Sequence, residues 1–157
     1  MHFKCSKRDE KYLNNKQQYI RSVTLSKTSS NKYYLSVLID YQQVKYEPID
    51  TVIGLDLGIK DFCVDSNGNR YENTHFYKNS EKRIKFLSKS LNRKQKCSKN
   101  RNKTRIKLAK LHEKITNRRN NYLHQISSML VNENQIICIE DLNVNGMMKN
   151  HHLAKSI

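Results

Sequence analysis

Two acidic residues far apart in the chain end apolar runs of similar form. "VIGLDLG", residues 52–58, delivers Asp56, and "IICIEDL", residues 136–142, delivers Glu140. A carboxylate at the tip of a buried strand can do two kinds of chemistry. It can ligate a divalent cation, because Mg²⁺ takes oxygen ligands and is typically held by one or two carboxylates plus substrate phosphate. It can also open the phosphate loop of a nucleotide-binding kinase or chaperone. The first use needs a second acid brought close by the fold, and two strands lying side by side would bring Glu140 to Asp56. Two divalent cations about 3.5–4 Å apart in such a site activate water and stabilise the leaving oxygen of a phosphodiester. The second use needs Ser or Thr in a hairpin just after Gly58 and a further glycine-rich loop. Ile59-Lys60-Asp61-Phe62 follows instead, and the chain holds four glycines, Gly54, Gly58, Gly68 and Gly146. The metal reading is therefore preferred, with a turn or helix cap as the plain alternative for either acid taken alone.

The elements that must position these acids are legible from periodicity. Residues 19–27 and 33–40 alternate apolar and polar side chains around "TSSN", which predicts a β-hairpin. A hairpin alone is marginal in water, so this one needs partner strands. Pro48 disfavours helix before it and divides the chain. A strand is expected at 51–57, a second at 60–65, a turn at Asn67-Gly68, and a short third strand near Arg70–Glu72. From Ser80 the period changes: Ile84, Leu87 and Leu91 share a helical face. After the interruption "KQKCSKNRNK" a longer helix is expected from about Arg101 to Leu130. Its stripe is Leu108, Leu111, Ile115, Arg119, Tyr122, Ile126 and Met129 or Leu130. "NENQ" ends it, and "IICIEDL" reads as a buried strand. On that strand Asp141, next to Glu140, should point to the opposite face.

Charge points to a partner. The chain has 157 residues and a formal charge of +16. Between Ser80 and Arg119 there are sixteen Lys and Arg against two Glu, a net of +14 in forty residues. A solvated helix face mixes its signs; this one does not, and backbone phosphate contact is the better explanation. The candidate contacts are Lys82, Arg83, Lys85, Lys89, Arg93, Lys94, Lys99, Arg101, Lys103, Arg105, Lys107 and Lys110.

Cysteine usage excludes a zinc ribbon: Cys5, Cys63, Cys97 and Cys138 form no CxxC pair. Cys63 and Cys138 fall in apolar runs and are expected as buried, reduced thiols, although the sequence leaves a disulfide between them open. No apolar run reaches the roughly 20 residues of a membrane span, and "MHFKCSKRDEK" is not a signal peptide. A cytoplasmic protein without membrane partners is expected. His151-His152 reads as a polar tail rather than half a metal site.

From "RSVTLSKTSSNKYYLSVLID" through "IGLDLGIKDFCVDSNG" and the basic helices to "IICIEDLNVNGMMKNHHLAKSI", the chain resembles the OrfB-type transposase family of insertion sequences, also called TnpB. The likeness runs through both acid motifs in order and covers roughly residues 20–157. The resemblance implies an RNA-guided DNA endonuclease, related to type V CRISPR nucleases, with a RuvC-like domain of the RNase H fold. Asp56 is then the first catalytic, metal-binding carboxylate and Glu140 the second. Guide RNA and DNA are the implied partners, and the hairpin belongs to an oligonucleotide-binding β-barrel.

The fold expected is therefore α/β. Residues 49–157 form a partial RuvC-like domain with a mixed sheet and long basic helices, and residues 1–48 a partial β-barrel segment. The sequence also departs from the family pattern, which continues after "NHHLAKSI" into a zinc ribbon and a third catalytic Asp. Asp61 or Asp65 could replace that Asp only by rearrangement. The expectation is an internal fragment that binds nucleic acid, holds Mg²⁺ weakly or not at all, and does not cut DNA by itself. The alternative is a stand-alone, non-catalytic nucleic-acid-binding module.

Overall fold

The structure, a computed structural model, describes residues 4, 10, 14, 19–40 and 47–149. Cys5, His151 and His152 lie outside those residues. The alternating segments at either side of the "TSSN" loop form β1 (Ile20–Lys27) and β2 (Tyr33–Ile39), which pair antiparallel with Val23 opposite Val37 and Leu25 opposite Leu35. Thr28 closes the loop: its amide donates to the Lys32 carbonyl at 2.9 Å and its hydroxyl bonds Ser30 at 2.8 Å. Asn31 takes the left-handed turn at φ 64°, a conformation Asn tolerates. Among the described residues this hairpin is a two-stranded sheet of its own, with Val23, Leu25 and Leu35 exposed.

A second sheet carries the acids. β3 (Val52–Leu57), β4 (Asp61–Asp65) and β5 (Arg70–Glu72) are joined by short turns and pair antiparallel. Two helices follow, α1 (Phe76–Asn92) and α2 (Lys99–Glu133), and return the chain to β6 (Ile136–Ile139), which pairs parallel to β3. The strand order is β5-β4-β3-β6, so the fold is α/β with a mixed sheet and one long helix. A five-residue helix, α3 (Val144–Met148), closes the described part. No helix among the described residues is long and apolar enough to cross a membrane.

Several expectations shift in detail. α1 starts four residues before Ser80, at Phe76. The break between the helices is shorter than "KQKCSKNRNK", because Ser98 caps α2 by accepting the Arg101 amide at 3.1 Å. Arg101 also reaches back, donating to the Leu91 carbonyl at 2.8 Å and so satisfying the C-terminal end of α1. The "IICIEDL" strand is neither buried nor seven residues long. It ends at Ile139, and as an edge strand it leaves Ile136 53% and Ile139 65% exposed. The alternation argument for Asp141 therefore loses its basis, since Glu140 and Asp141 both lie past the strand. Cys63 is buried as expected, but Cys138 is exposed; both are free thiols, on strands separated by β3.

The core sits where α2 crosses the second sheet. Ile53 packs with Ile126 and Leu130, surrounded by Leu55, Phe62, Tyr71, Tyr122, Met129 and Ile137. Tyr122 lies edge-on to Phe62 at 6.0 Å and to Phe76 at 6.3 Å, and its hydroxyl donates to the Glu72 carbonyl. A Cβ at Gly58 would stand 2.9 Å from the Asp61 carbonyl oxygen, so the β3–β4 turn requires glycine.

Asp65 organises the next turn. Its carboxylate accepts the Asn67 amide at 3.0 Å, the Asn69 amide at 2.8 Å, the Asn69 side chain at 2.9 Å and the Tyr71 hydroxyl at 3.3 Å. Burial pushes the carboxyl upward, but these four bonds outweigh it and hold the group below its ordinary value. A folded-state pKa below the unfolded one contributes stability above the unfolded value and loses it as pH falls through the folded value. Asp65→Ala should lower the thermal midpoint by several degrees at pH 7, and the gap to wild type should close below about pH 3.9, the ordinary Asp value. Melting curves at both pH values check this; a gap that persists in acid would remove the titration from the account.

Candidate metal site and nucleic-acid interface

The parallel register of β3 and β6 places Val52 beside Ile136, Ile53 beside Ile137, Gly54 beside Cys138 and Leu55 beside Ile139. The ladder ends at Leu55 and Ile139; Asp56 and Glu140 follow that last pair, Asp56 still within β3 and Glu140 beyond the end of β6. Neighbouring strands run about 4.7–4.9 Å apart, and residues abreast in a parallel pair project to the same face. Ile53 and Leu55 point into the core beneath α2. By alternation Gly54 and Asp56 project to the other face, the one α2 does not cover.

Both carboxylates are exposed, and neither has a hydrogen-bond or ion-pair partner among the described residues. In a chain with 30 Lys and Arg, two exposed acids without an ion-pair partner among the described residues are conspicuous. The other acids considered from sequence are engaged: Asp61 pairs with Arg70 at 3.0 Å, and Asp65 is taken by its turn. No group of three or more His, Cys, Asp or Glu side chains converges among the described residues. As a donor set, two hard carboxylate oxygens groups fit part of a Mg²⁺ shell and leave the remainder to water or substrate phosphate.

The basic residues divide by what they touch. Lys94 donates to Thr104 Oγ1, Arg101 caps α1, and Arg105 bonds Asn102 at 3.1 Å and the Ser29 carbonyl at 3.4 Å. These three tie the two helices and the hairpin together. Lys85 pairs with Glu81 at 3.0 Å. Lys82, Arg83, Lys89, Arg93, Lys99, Lys103, Lys107 and Lys110 are exposed and carry no side-chain partner among the described residues. Eight of the twelve sequence candidates thus present their charge outward without a partner.

The hairpin reaches this surface through polar contacts. Glu113 accepts the Tyr34 hydroxyl at 2.8 Å and pairs with Lys32 at 3.1 Å. Hydrogen bonds from Ser30, Tyr34 and Lys32 hold the Glu113 carboxyl below its ordinary value, with burial working the other way. No periodicity announced this anchor, because Glu113 lies off the apolar stripe and its partners come from the distant hairpin, Tyr34 of β2 standing 79 residues upstream. A cavity of about 680 Å³ was equally hidden. It is lined by Leu57, Phe62, His75, Phe76, Tyr122 and Met147 among others, contributed by separate segments.

Comparison with known proteins bears on what this arrangement serves. The OrfB_IS605 family model, described as "Probable transposase", matches residues 34–151. A protein of Streptomyces pristinaespiralis named "Putative RNA-guided DNA endonuclease" is 34% identical over 136 residues, covering 87% of this chain and 34% of the relative. An Escherichia coli (strain K12) protein, "Putative RNA-guided DNA endonuclease InsQ", is 31% identical over 142 residues, covering 88% of this chain and 35% of that protein. The chain spans about a third of the length of these curated relatives.

Proposed function

Because the chain belongs to the OrfB_IS605 transposase family, we propose that it carries part of a divalent-metal-dependent, RNA-guided DNA endonuclease. The observation that supports this reading is the β3–β6 register, whose last pair, Leu55 and Ile139, immediately precedes Asp56 and Glu140, both exposed and neither ion-paired among the described residues. On this reading residues 49–157 are an incomplete RuvC-like domain of the RNase H fold, and the hairpin is a piece of an oligonucleotide-binding barrel. The relatives' names supply DNA and RNA as partners.

A divalent ion held by Asp56 and Glu140 would supply a polarised water and charge stabilisation at a phosphodiester. The chain's own residues would orient the strand: exposed lysines and arginines of α1 and α2 neutralise phosphates and contribute little base specificity. On this reading a set of two carboxylates holds an ion weakly, and this chain alone does not cut DNA efficiently.

That no group of three or more His, Cys, Asp or Glu gathers among the described residues also favours a second reading, a non-catalytic nucleic-acid-binding module whose acids no longer act. Titration with Mn²⁺ separates the two. The first reading expects a small, saturable rise in melting temperature that Asp56→Ala abolishes. An equal rise in the variant would remove Asp56 from any ion site. Incubation with single-stranded and duplex DNA in Mg²⁺ or Mn²⁺ should leave the DNA intact; cutting that Asp56→Ala abolishes would overturn the inactivity of this chain.

A further inference from the structure

We propose that the basic face of α2 continues past Lys110 into a phosphodiester-binding notch, walled by Lys110, Lys114 and Arg118 on the helix and by Lys32 on the β1–β2 loop. This rests on the nucleic-acid reading above and extends it to residues outside the 82–110 segment. The notch encloses about 570 Å³ and is also lined by Glu113, Asn117 and Asn121.

Helical spacing makes the notch the end of a longer track. Lys103, Lys107, Lys110, Lys114 and Arg118 follow one another at steps of four, three, four and four, which keeps them on one side of the helix. At 1.5 Å per residue they span about 22 Å, or roughly six phosphates at the 3.4 Å axial rise of one strand. All five are exposed, and none has a side-chain partner among the described residues. Like charges stacked at three and four residues destabilise a helix, and the one acid that falls within the row, Glu113, is turned to Lys32 and Tyr34 of the hairpin, so packing within the helix does not explain the row.

The fourth wall is set from the hairpin. Glu113 is the one carboxylate of the notch, and its charge is taken by Lys32 and the Tyr34 hydroxyl. It acts as a positioning residue that fixes Lys32 opposite the helix cations rather than as a repulsive group. Every lining side chain is charged or an amide. An acidic peptide would look for an apolar anchor and find none, whereas a phosphodiester chain needs only regularly spaced cations and hydrogen-bond donors such as the Asn117 and Asn121 amides.

The test measures binding of 30-nucleotide single-stranded RNA and the same sequence as single-stranded DNA across a salt series. Wild type, Lys114→Ala/Arg118→Ala, and the charge-matched control Lys60→Ala/Lys149→Ala, two exposed lysines outside the basic segment, are compared, with melting curves confirming that each is folded. Two lost phosphate contacts should reduce the slope of log K against log salt by about 1.4 in the notch variant, with the control unchanged. A loss with RNA, DNA or both supports the notch and identifies its ligand. A notch variant that keeps the wild-type slope on both overturns the notch alone. A wild type with no salt-dependent binding to either probe overturns the nucleic-acid reading itself.

Discussion

Raising salt from about 50 to 200 mM should weaken binding of duplex DNA to this chain about 10³-fold. The figure follows from six phosphate contacts, each contributing close to 0.9 to the slope of log K against log salt through counterion release. The structure supplies enough cations for that number. Lys103, Lys107 and Lys110 lie in a row on α2, and Lys82, Arg83, Lys89, Arg93 and Lys99 add to them from α1 and the helix junction, all exposed. Reversing charge at Lys103→Glu, Lys107→Glu and Lys110→Glu should flatten the slope by about 3 and lower affinity at low salt at least about 10-fold. Arg105, although basic and in the same segment, belongs in a different experiment, because it bonds Ser29 of the hairpin loop and its loss would disturb docking. Fluorescence anisotropy with labelled duplex checks the prediction. Binding that ignores salt, or survives the triple reversal, would mean that the +14 segment does not face nucleic acid.

That distinction between Arg105 and its neighbours shows where sequence reasoning reached and where it stopped. Local signals were strong where one element decided its own structure. The alternation of β1 and β2, the Asn67-Gly68 turn and the α2 stripe of Ile115, Tyr122, Ile126 and Leu130 each carried a period that only one secondary structure satisfies. The likeness of Asp56 and Glu140 was legible as a form, an acid ending each of two apolar runs, and the parallel ladder of β3 and β6 ends one residue short of both. What the sequence could not carry was relation between elements. "IICIEDL" is apolar enough to read as buried, yet strand order puts β6 at an edge, where Ile136 and Ile139 are exposed. Arg101, Lys94 and Arg105 have the composition of phosphate contacts, and only the packing of α2 against α1 and the hairpin reveals them as internal ties. Lys114 and Arg118 fall inside the charge-dense segment, but only the packing of the hairpin loop, which brings Lys32 to the same notch, distinguishes them from its other cations.

Ile53→Ala should be the most damaging single substitution to stability near the site, costing about 2–5 kcal/mol. Among the described residues six apolar side chains are buried: Ile53, Cys63, Ile84, Ile115, Ile126 and Leu130. Ile53, 4% exposed, meets both Ile126 and Leu130 of α2, so truncating it opens a cavity at the centre of the contact between that helix and the sheet. Against a total of about 5–15 kcal/mol for an ordinary domain, that loss is large. Val52→Ala is the matched control: Val52 is 63% exposed on the opposite face, and its loss should fall within about 0.5 kcal/mol. The contrast has a functional side. A strand's faces alternate, so the burial of Ile53 and Leu55 is what commits Gly54 and Asp56 to the open face, and a slip of one residue would turn Asp56 into the core. Weakening Ile53 therefore loosens the element that presents the carboxylate, and the Mn²⁺-dependent rise in melting temperature should shrink along with the midpoint. Urea unfolding of the two variants checks the first part. Equal destabilisation by Val52→Ala and Ile53→Ala would show that the two faces of β3 are not distinguished as the structure has them.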